Sequence, residues 1–470
     1  MPKPFRISFI KHSRRGLRLI RQRLCSCFIL VLAAANVAAA QDIRTLSLQE
    51  AQDLALEQNR LLRIAREQVE ESEQKVKEAQ SRQYPLVYAT GGYTYNGVTE
   101  DVVLPMGALG VYPNSNIFVP QTDIPILESK HNLIMASALA MQPITQLGKI
   151  RTGVKIAQTD VKIAEAKAAQ AAQEVKQGVE QLFYGLLLAQ KQQEEAQANI
   201  QLTEAKLYDV ESALLAGKTD EVNKIGLQAA LADEQQKLLV IQHQVADYTY
   251  DLNQLLGLPT DTGLRLDGVQ EEEVPLQPLE EYLQLAQTVS YDVRIAEHTS
   301  QKAAYGVNAA KKDYIPNVNA IGGYTHQSIL NVLPENNYFF GVQANWNIID
   351  FGRRKAVLKQ RQSQQRQAEL NLENTREDVT GRVEQAYRKV QQARQLVAVA
   401  RQAVQYREQE LKLKQDRFDA GLILKKDVLE SQAALAKSEA DLYAARLGYR
   451  LALSDLQAMT GASAQEAIEQ

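Results

Sequence analysis

Residues Tyr84 to Thr94 read YPLVYATGGYT, and Tyr314 to Thr325 read YIPNVNAIGGYT. Both end in Gly-Gly-Tyr-Thr, both carry a proline six residues before the first glycine, and they lie 231 residues apart. Proline ends a helix and biases the residue before it towards extended backbone. Each stretch therefore predicts a strand that begins where a helix stops. Carried backwards at the same offset, the match continues: Arg63-Ile64-Ala65 falls on Arg294-Ile295-Ala296, and Ala79 on Ala310. The duplicated unit is larger than one strand.

Forwards, the offset becomes 204 and then holds. Leu147-Gly148-Lys149 meets Phe351-Gly352-Arg353, Ala216-Gly217 meets Ala420-Gly421, and Asp251-Leu252 with Gly257 meets Asp455-Leu456 with Gly461. One 27-residue insertion in the first copy accounts for the change; it lies between Gly97 and His131, where four prolines give loop composition. The chain is thus read as a signal peptide (1–40), a first repeat (41–257), a Pro/Gly/Glu-rich linker (258–278), a second repeat (279–461) and a C-terminal tail (462–470).

Within each repeat the order is the same. A helical segment, Leu46 to Arg82 in the first copy, carries Ala65, Ser72 and Ala79 at heptad spacing, which lets helices approach closely. Strands follow each proline. The clearest runs from Tyr338 to Ile349, where Tyr338, Phe340, Val342, Ala344, Trp346 and Ile348 alternate with Phe339, Gly341, Gln343, Asn345 and Asn347. His131 to Ile144 alternates more weakly, with Leu133, Met135, Leu139 and Met141 on one face. With Leu86–Tyr95 and Asn317–His326 these make four strands in two hairpins. Each hairpin leads into a long Ala/Gln/Glu/Lys/Arg-rich helical stretch; the 68 residues from Lys149 to Ala216 would span about 100 Å. Gly217 reads as a helix-ending glycine and Thr219 or Asp220 as the cap of a return helix, whereas Leu-Ile-Leu after Gly421 offers no evident cap.

The first 40 residues hold eight Lys/Arg and no acid, then an uncharged run from Leu24 that ends Ala38-Ala39-Ala40, the pattern of a secretory signal peptide. Its removal takes away Cys25 and Cys27, the two cysteines of the chain, and leaves 45 basic against 56 acidic residues, a net charge of −11. Such a chain is a poor partner for nucleic acid. No later uncharged run approaches the ~20 residues of a spanning helix. His131, His243, His298 and His326 are scattered, and no metalloprotease, nucleophile-elbow or phosphate-loop motif occurs, so no enzyme, cofactor or metal is expected. The Glu271-Glu272-Glu273 run reads as solvated linker.

Four strands cannot stand alone in lipid, because each open edge leaves N–H and C=O groups unpaired at several kcal/mol apiece. If they span a membrane, several chains must pool them, and pooling fours gives the even strand numbers that outer-membrane barrels use. The alternatives are a soluble four-stranded sheet packed on helices, or a periplasmic coiled-coil scaffold or adhesin-like stalk without channel activity.

The helix, hairpin, long helix, glycine turn and return helix, found twice over nearly the whole mature chain, resemble the TolC-type outer-membrane factor (outer-membrane efflux protein) family. The resemblance implies a mainly α fold with a small β part: a TolC-like trimeric α/β-barrel with four transmembrane strands per protomer, very long antiparallel coiled-coil helices and two internal repeats. It implies an outer-membrane exit duct of a tripartite efflux or type I secretion system, homotrimeric, set in outer-membrane lipid. Its partners would be a periplasmic adaptor (membrane fusion protein) and an inner-membrane pump of ABC, RND or MFS type. The hairpin loops would face outwards. Gly217, Lys218, Thr219 and Asp220, with Gly421, Leu422 and Ile423, would form the periplasmic tips where adaptors dock. Asp427 and Glu430, with Asn223 at the position matching Asp427, are the candidates for a closed periplasmic entrance. Ile423 stands where the family has a basic residue. Gln343, Asn345 and Asn347 are read as lumen-facing, and Tyr338, Phe340, Val342 and Trp346 as lipid-facing.

Overall fold

A computed structural model describes residues 44–268, 275–329 and 333–460. The expected signal peptide, the C-terminal tail and the Glu271–Glu273 run lie outside the described residues. The elements are β1 (Arg44–Leu46), α1 (Leu48–Gln58), α2 (Arg60–Ser81), β2 (Leu86–Tyr95), β3 (Val102–Leu104), β4 (Ile124–Leu127), β5 (Asn132–Pro143), α3 (Leu147–Leu215) and α4 (Glu221–Leu256). They continue with β6 (Leu264–Leu266), α5 (Leu279–Val289), α6 (Tyr291–Lys312), β7 (Asn317–Gln327), β8 (Asn336–Asn345), α7 (Arg353–Asp419) and α8 (Lys425–Thr460).

The two GGYT strands, β2 and β7, belong to one antiparallel sheet of order β2-β5-β7-β8. Each hairpin comes from one repeat, and β5 joins β7 across the two. The ladder preserves the duplication: Gly91 faces Ala136, and the equivalent Gly322 faces Phe340. The glycine pair has a packing reason in the second copy. A Cβ on Gly322 would meet the Phe340 ring at 2.9 Å, and one on Gly323 would meet both the Ala138 carbonyl oxygen and Leu139 at 2.7 Å. Absent side chains on adjacent residues make room on opposite faces of the sheet. Strand β8 ends at Asn345, short of the expected Ile349, because its last partner is Asn317 and Pro316 before it has no N–H to extend the ladder. Trp346 and Asn347 thus lie just beyond the strand.

Helix α3 has 69 residues and α7 has 67, each about 100 Å long. α3 runs along α2 and α6 on the sheet side and along α4 and α8 further out; α7 runs along α6 and α8. The single helix expected from Leu46 to Arg82 is broken at Asn59, whose side-chain oxygen accepts from Leu61 N and Leu62 N and whose amide donates to Leu255 O. Its repeat equivalent, Ser290, separates α5 from α6. These short helices close two equivalent cores. Val179, Phe183, Leu252 and Leu256 pack with Ala51 and Ala55 of α1; Val383, Val390, Leu453 and Leu456 pack with Tyr282 and Ala286 of α5.

Four short strands were not expected. The linker supplies β6, which pairs in parallel with β1 and covers the first core. The 27-residue insertion holds a small β3-β4 hairpin. Among the described residues no helix is long and apolar enough to cross a membrane.

Candidate channel wall and helical tips

Register fixes which strand residues share a face. Tyr338, Phe340, Val342 and Ala344 of β8 lie on the side of Tyr324, Gly322, Ala320 and Val318 of β7, Ala136, Ala138 and Ala140 of β5, and Val87, Tyr93 and Tyr95 of β2. This side is apolar, and Phe340 is 91% exposed on it. Its tyrosines gather towards the loop end: the Tyr324 and Tyr338 rings are 5.0 Å apart, and the Tyr324 hydroxyl donates to Asn336 Oδ1. An apolar band edged by hydroxylated aromatics is what a lipid interface selects.

Gln343 and Asn345 share the opposite side with Thr325, Asn319 and Asn317, with Ser137, and with Thr90, whose hydroxyl bonds to that of Ser137 at 2.8 Å. Leu133, Met135, Leu139 and Met141 also lie on this polar side. The weak alternation of β5 thus points its bulk to the polar face and leaves alanines on the apolar one, opposite Gly91, Ala89 and Val87 of β2. Asn347, beyond β8, has its carbonyl taken by the Arg354 guanidinium at 2.7 Å. Trp346 is exposed at the same point.

At the far ends of α3 and α7, Gly217 (φ +67) and Gly421 (φ +72) adopt the left-handed backbone that closes a helix. Lys218 N donates to Ala213 O, and Leu422 N to Arg417 O, the same closure in each repeat. α4 has Asp220 as its cap residue but without a side-chain bond; instead Asn223 donates to Thr219 Oγ1 at 2.9 Å. In the second repeat the missing cap is found in Asp427, whose carboxylate reaches back to accept from Leu424 N at 3.0 Å. Glu430 lies 3.7 Å from Lys206 of α3, and Lys224 lies 3.0 Å from Glu211. Asn223 and Asp427 thus sit at equivalent places one turn inside the return helices. Ile423 is half-buried, while Leu215, Val222, Leu422 and Leu424 leave the tips strongly apolar on the outside.

Sequence reasoning passed over a buried acid midway along α3. Glu180 is buried beside Tyr184, and burial raises its pKa against the opposing hydrogen bond from Ser454 and the charge of Arg450. Burial pushes the Tyr184 phenol up to about 12 and also raises Asp455, which faces Glu180 from α8. The sequence signal was present: Glu180 follows Val179 at the start of an apolar run through Leu182, Phe183, Tyr184 and Leu186–Leu188.

The geometry has counterparts among known proteins. The Campylobacter jejuni CmeC outer membrane channel superposes with a TM-score of 0.70 at 14% identity, over 88% of this chain and 85% of that one. The Vibrio cholerae outer membrane protein VceC gives 0.67 at 18%, over 88% and 96%. The open state of the Neisseria gonorrhoeae MtrE outer membrane channel gives 0.67 at 17%, over 88% of each chain. At these identities the likeness fixes the fold. No curated protein matches the chain in sequence. The family model for outer membrane efflux proteins matches residues 51–258 and again 282–462, most of both repeats. The chain belongs to the outer membrane efflux protein family and is an outer-membrane exit duct of an efflux system, with its long helices in the periplasm.

Proposed function

We propose that the chain works as a homotrimer, β8 of each copy pairing with β2 of the next to close one barrel, and that a periplasmic adaptor and an inner-membrane pump feed it. The single observation that carries this reading is the sheet with two unpaired edges, β2 and β8, in a chain whose internal repeat already contains the needed joint. β5 and β7 pair across repeats, and β8 and β2 are their equivalents. Copying that register sets Val342 opposite Tyr93 and Ala344 opposite Gly91 of the next copy, with both apolar faces outwards. In this assembly Tyr338, Phe340, Val342 and Trp346 meet lipid, and Gln343, Asn345 and Asn347 meet the lumen.

The mature chain has no cysteine, so a Val342→Cys/Tyr93→Cys variant tests the joint directly. Oxidation should link chains into a covalent trimer, since facing strand residues lie within disulfide reach. Only monomers, with both thiols free, would overturn the reading.

The same reading takes residues 41–257 and 279–461 as the two repeats. It places Gly217–Asp220 and Gly421–Ile423 at the adaptor-docking tips, where exposed Leu215, Val222, Leu422 and Leu424 support contact with a partner. Asn223, Asp427 and Glu430 then border the periplasmic entrance. Single-channel conductance in planar bilayers should rise in Asp427→Ala/Asn223→Ala; unchanged conductance removes these residues from the entrance.

A further inference from the structure

The end of the barrel nearest the helices carries two belts. Tyr84, Tyr314, Ile315, Trp346, Ile348, Ile349 and Phe351 are all exposed where strands meet helices. Phe351 is 99% exposed and holds φ +48, a left-handed conformation costly for a bulky residue. Just beyond lies positive charge. Residues 78–82, 147–155, 309–313 and 350–361 together hold eleven Lys/Arg against three acids, in a mature chain whose net charge is −11.

The repeat shows how this charge is arranged at a joint. Between β5/α3 and β7/α6, inside the chain, Lys149 pairs with Asp313, and Lys312 donates to Gly148 O and Thr152 Oγ1. At the joint between copies, Arg353 replaces Lys149, Arg82 replaces Asp313 and Ser81 replaces Lys312. The ion pair becomes two cations facing one another. Arg353 makes no ion pair among the described residues, and Arg82 has an exposed bridge to Glu78 on its own helix, too weak to neutralise the gap.

Resting on the trimer reading above, we propose that an anionic phospholipid of the periplasmic leaflet fills each joint, its phosphodiester between Arg353 of one copy and Arg82 of the next. Guanidinium pairs bind phosphate oxygens through parallel hydrogen bonds. The apolar belt with Trp346 and Phe351 lies between the sheet and the arginines, at the depth where aromatic residues mark the headgroup level, so the phosphate is a lipid's. Each protein trimer would hold three such lipids as part of its joints.

The test uses the full chain in nanodiscs of phosphatidylcholine alone, of phosphatidylcholine with phosphatidylglycerol, and of phosphatidylcholine with inorganic phosphate in the buffer. The readout is the temperature at which the trimer dissociates. Phosphatidylglycerol should raise it and free phosphate should not, and Arg353→Gln or Arg82→Gln should each weaken the phosphatidylglycerol titration by about fivefold. Arg82→Asp recreates the Lys149–Asp313 arrangement; it should raise the dissociation temperature in phosphatidylcholine and abolish the gain from phosphatidylglycerol. Equal stability with and without phosphatidylglycerol, an equal gain from free phosphate, or a gain that survives Arg82→Asp would each overturn the proposal. A cross-linkable trimer indifferent to phosphatidylglycerol sinks this assignment alone, whereas failure of the Val342→Cys/Tyr93→Cys link sinks the trimer as well.

Discussion

Gly92 and Gly323 hold the same place in the two repeats, yet within one copy only one is crowded. Nothing lies within 4 Å of a Cβ on Gly92, whereas one on Gly323 would be 2.7 Å from the Ala138 carbonyl oxygen. Gly323→Ala should therefore destabilise the barrel by about 1–3 kcal/mol, the range for overpacking. Gly92 is open only while β2 is an edge: the joint copied from β5/β7 sets Val342 and Gln343 of the neighbouring copy against it. In the trimer Gly92→Ala should thus cost a similar amount, and heat-induced loss of the trimer on gels compares the two. The repeated GGYT was legible in the sequence, but the crowding was not, because it comes from Leu139 and Phe339 brought alongside by register. Glu180 gives a second contrast. Burial raises its folded pKa above the ordinary 4.5, so between those values the folded chain keeps a proton that the unfolded chain has lost. Its contribution to stability is fully present below 4.5 and is lost as pH rises through the raised value. Glu180→Gln should thus melt higher than the parent at pH 8 and match it below pH about 4.5; thermal melts followed by circular dichroism across that range decide it. A variant that melts lower at pH 8 would mean that the charged form is the stabilised one.

Helix ends and helix cores account for what could and could not be read at the next level. The glycine turns were legible because left-handed backbone at a helix end selects glycine. The Asp427 cap was not, since a carboxylate three residues inside a helix reads as ordinary surface charge. Asp427→Ala should loosen the start of α8 by about 1 kcal/mol, seen as faster amide exchange over residues 424–430 with the α4 start unchanged. Asn59 was missed for a similar reason: between Gln58 and Arg60 it resembles an exposed helical residue, and its capping role depends on the distant Leu255 carbonyl. The two cores offer a symmetric test. Leu252 and Leu456 are both fully buried at equivalent positions, so Leu252→Ala and Leu456→Ala should each cost about 2–5 kcal/mol. Unfolding by denaturant should show losses of similar size, since neither repeat stands in for the other.

The chain as a whole was predicted well where periodicity is strong and poorly where one strand faces two environments. β8 alternates cleanly, whereas β5 puts Leu133, Met135, Leu139 and Met141 on the polar side, which no pattern within β5 could reveal before its neighbours were known. The insertion is self-contained: Met106 N donates to Asp123, Ser129 N to Asp101 and Asn96 N to His131 O. Removing residues 99–125, the 27-residue difference between repeats, should leave folding and cross-linking at Val342 and Tyr93 intact. The four-stranded sheet has a further consequence. A conduit assembled from whole copies cannot widen by one strand or two; its bore changes only in steps of an entire subunit. Calibre is thus quantised, and evolution can adjust the opening gradually only through side chains and loops.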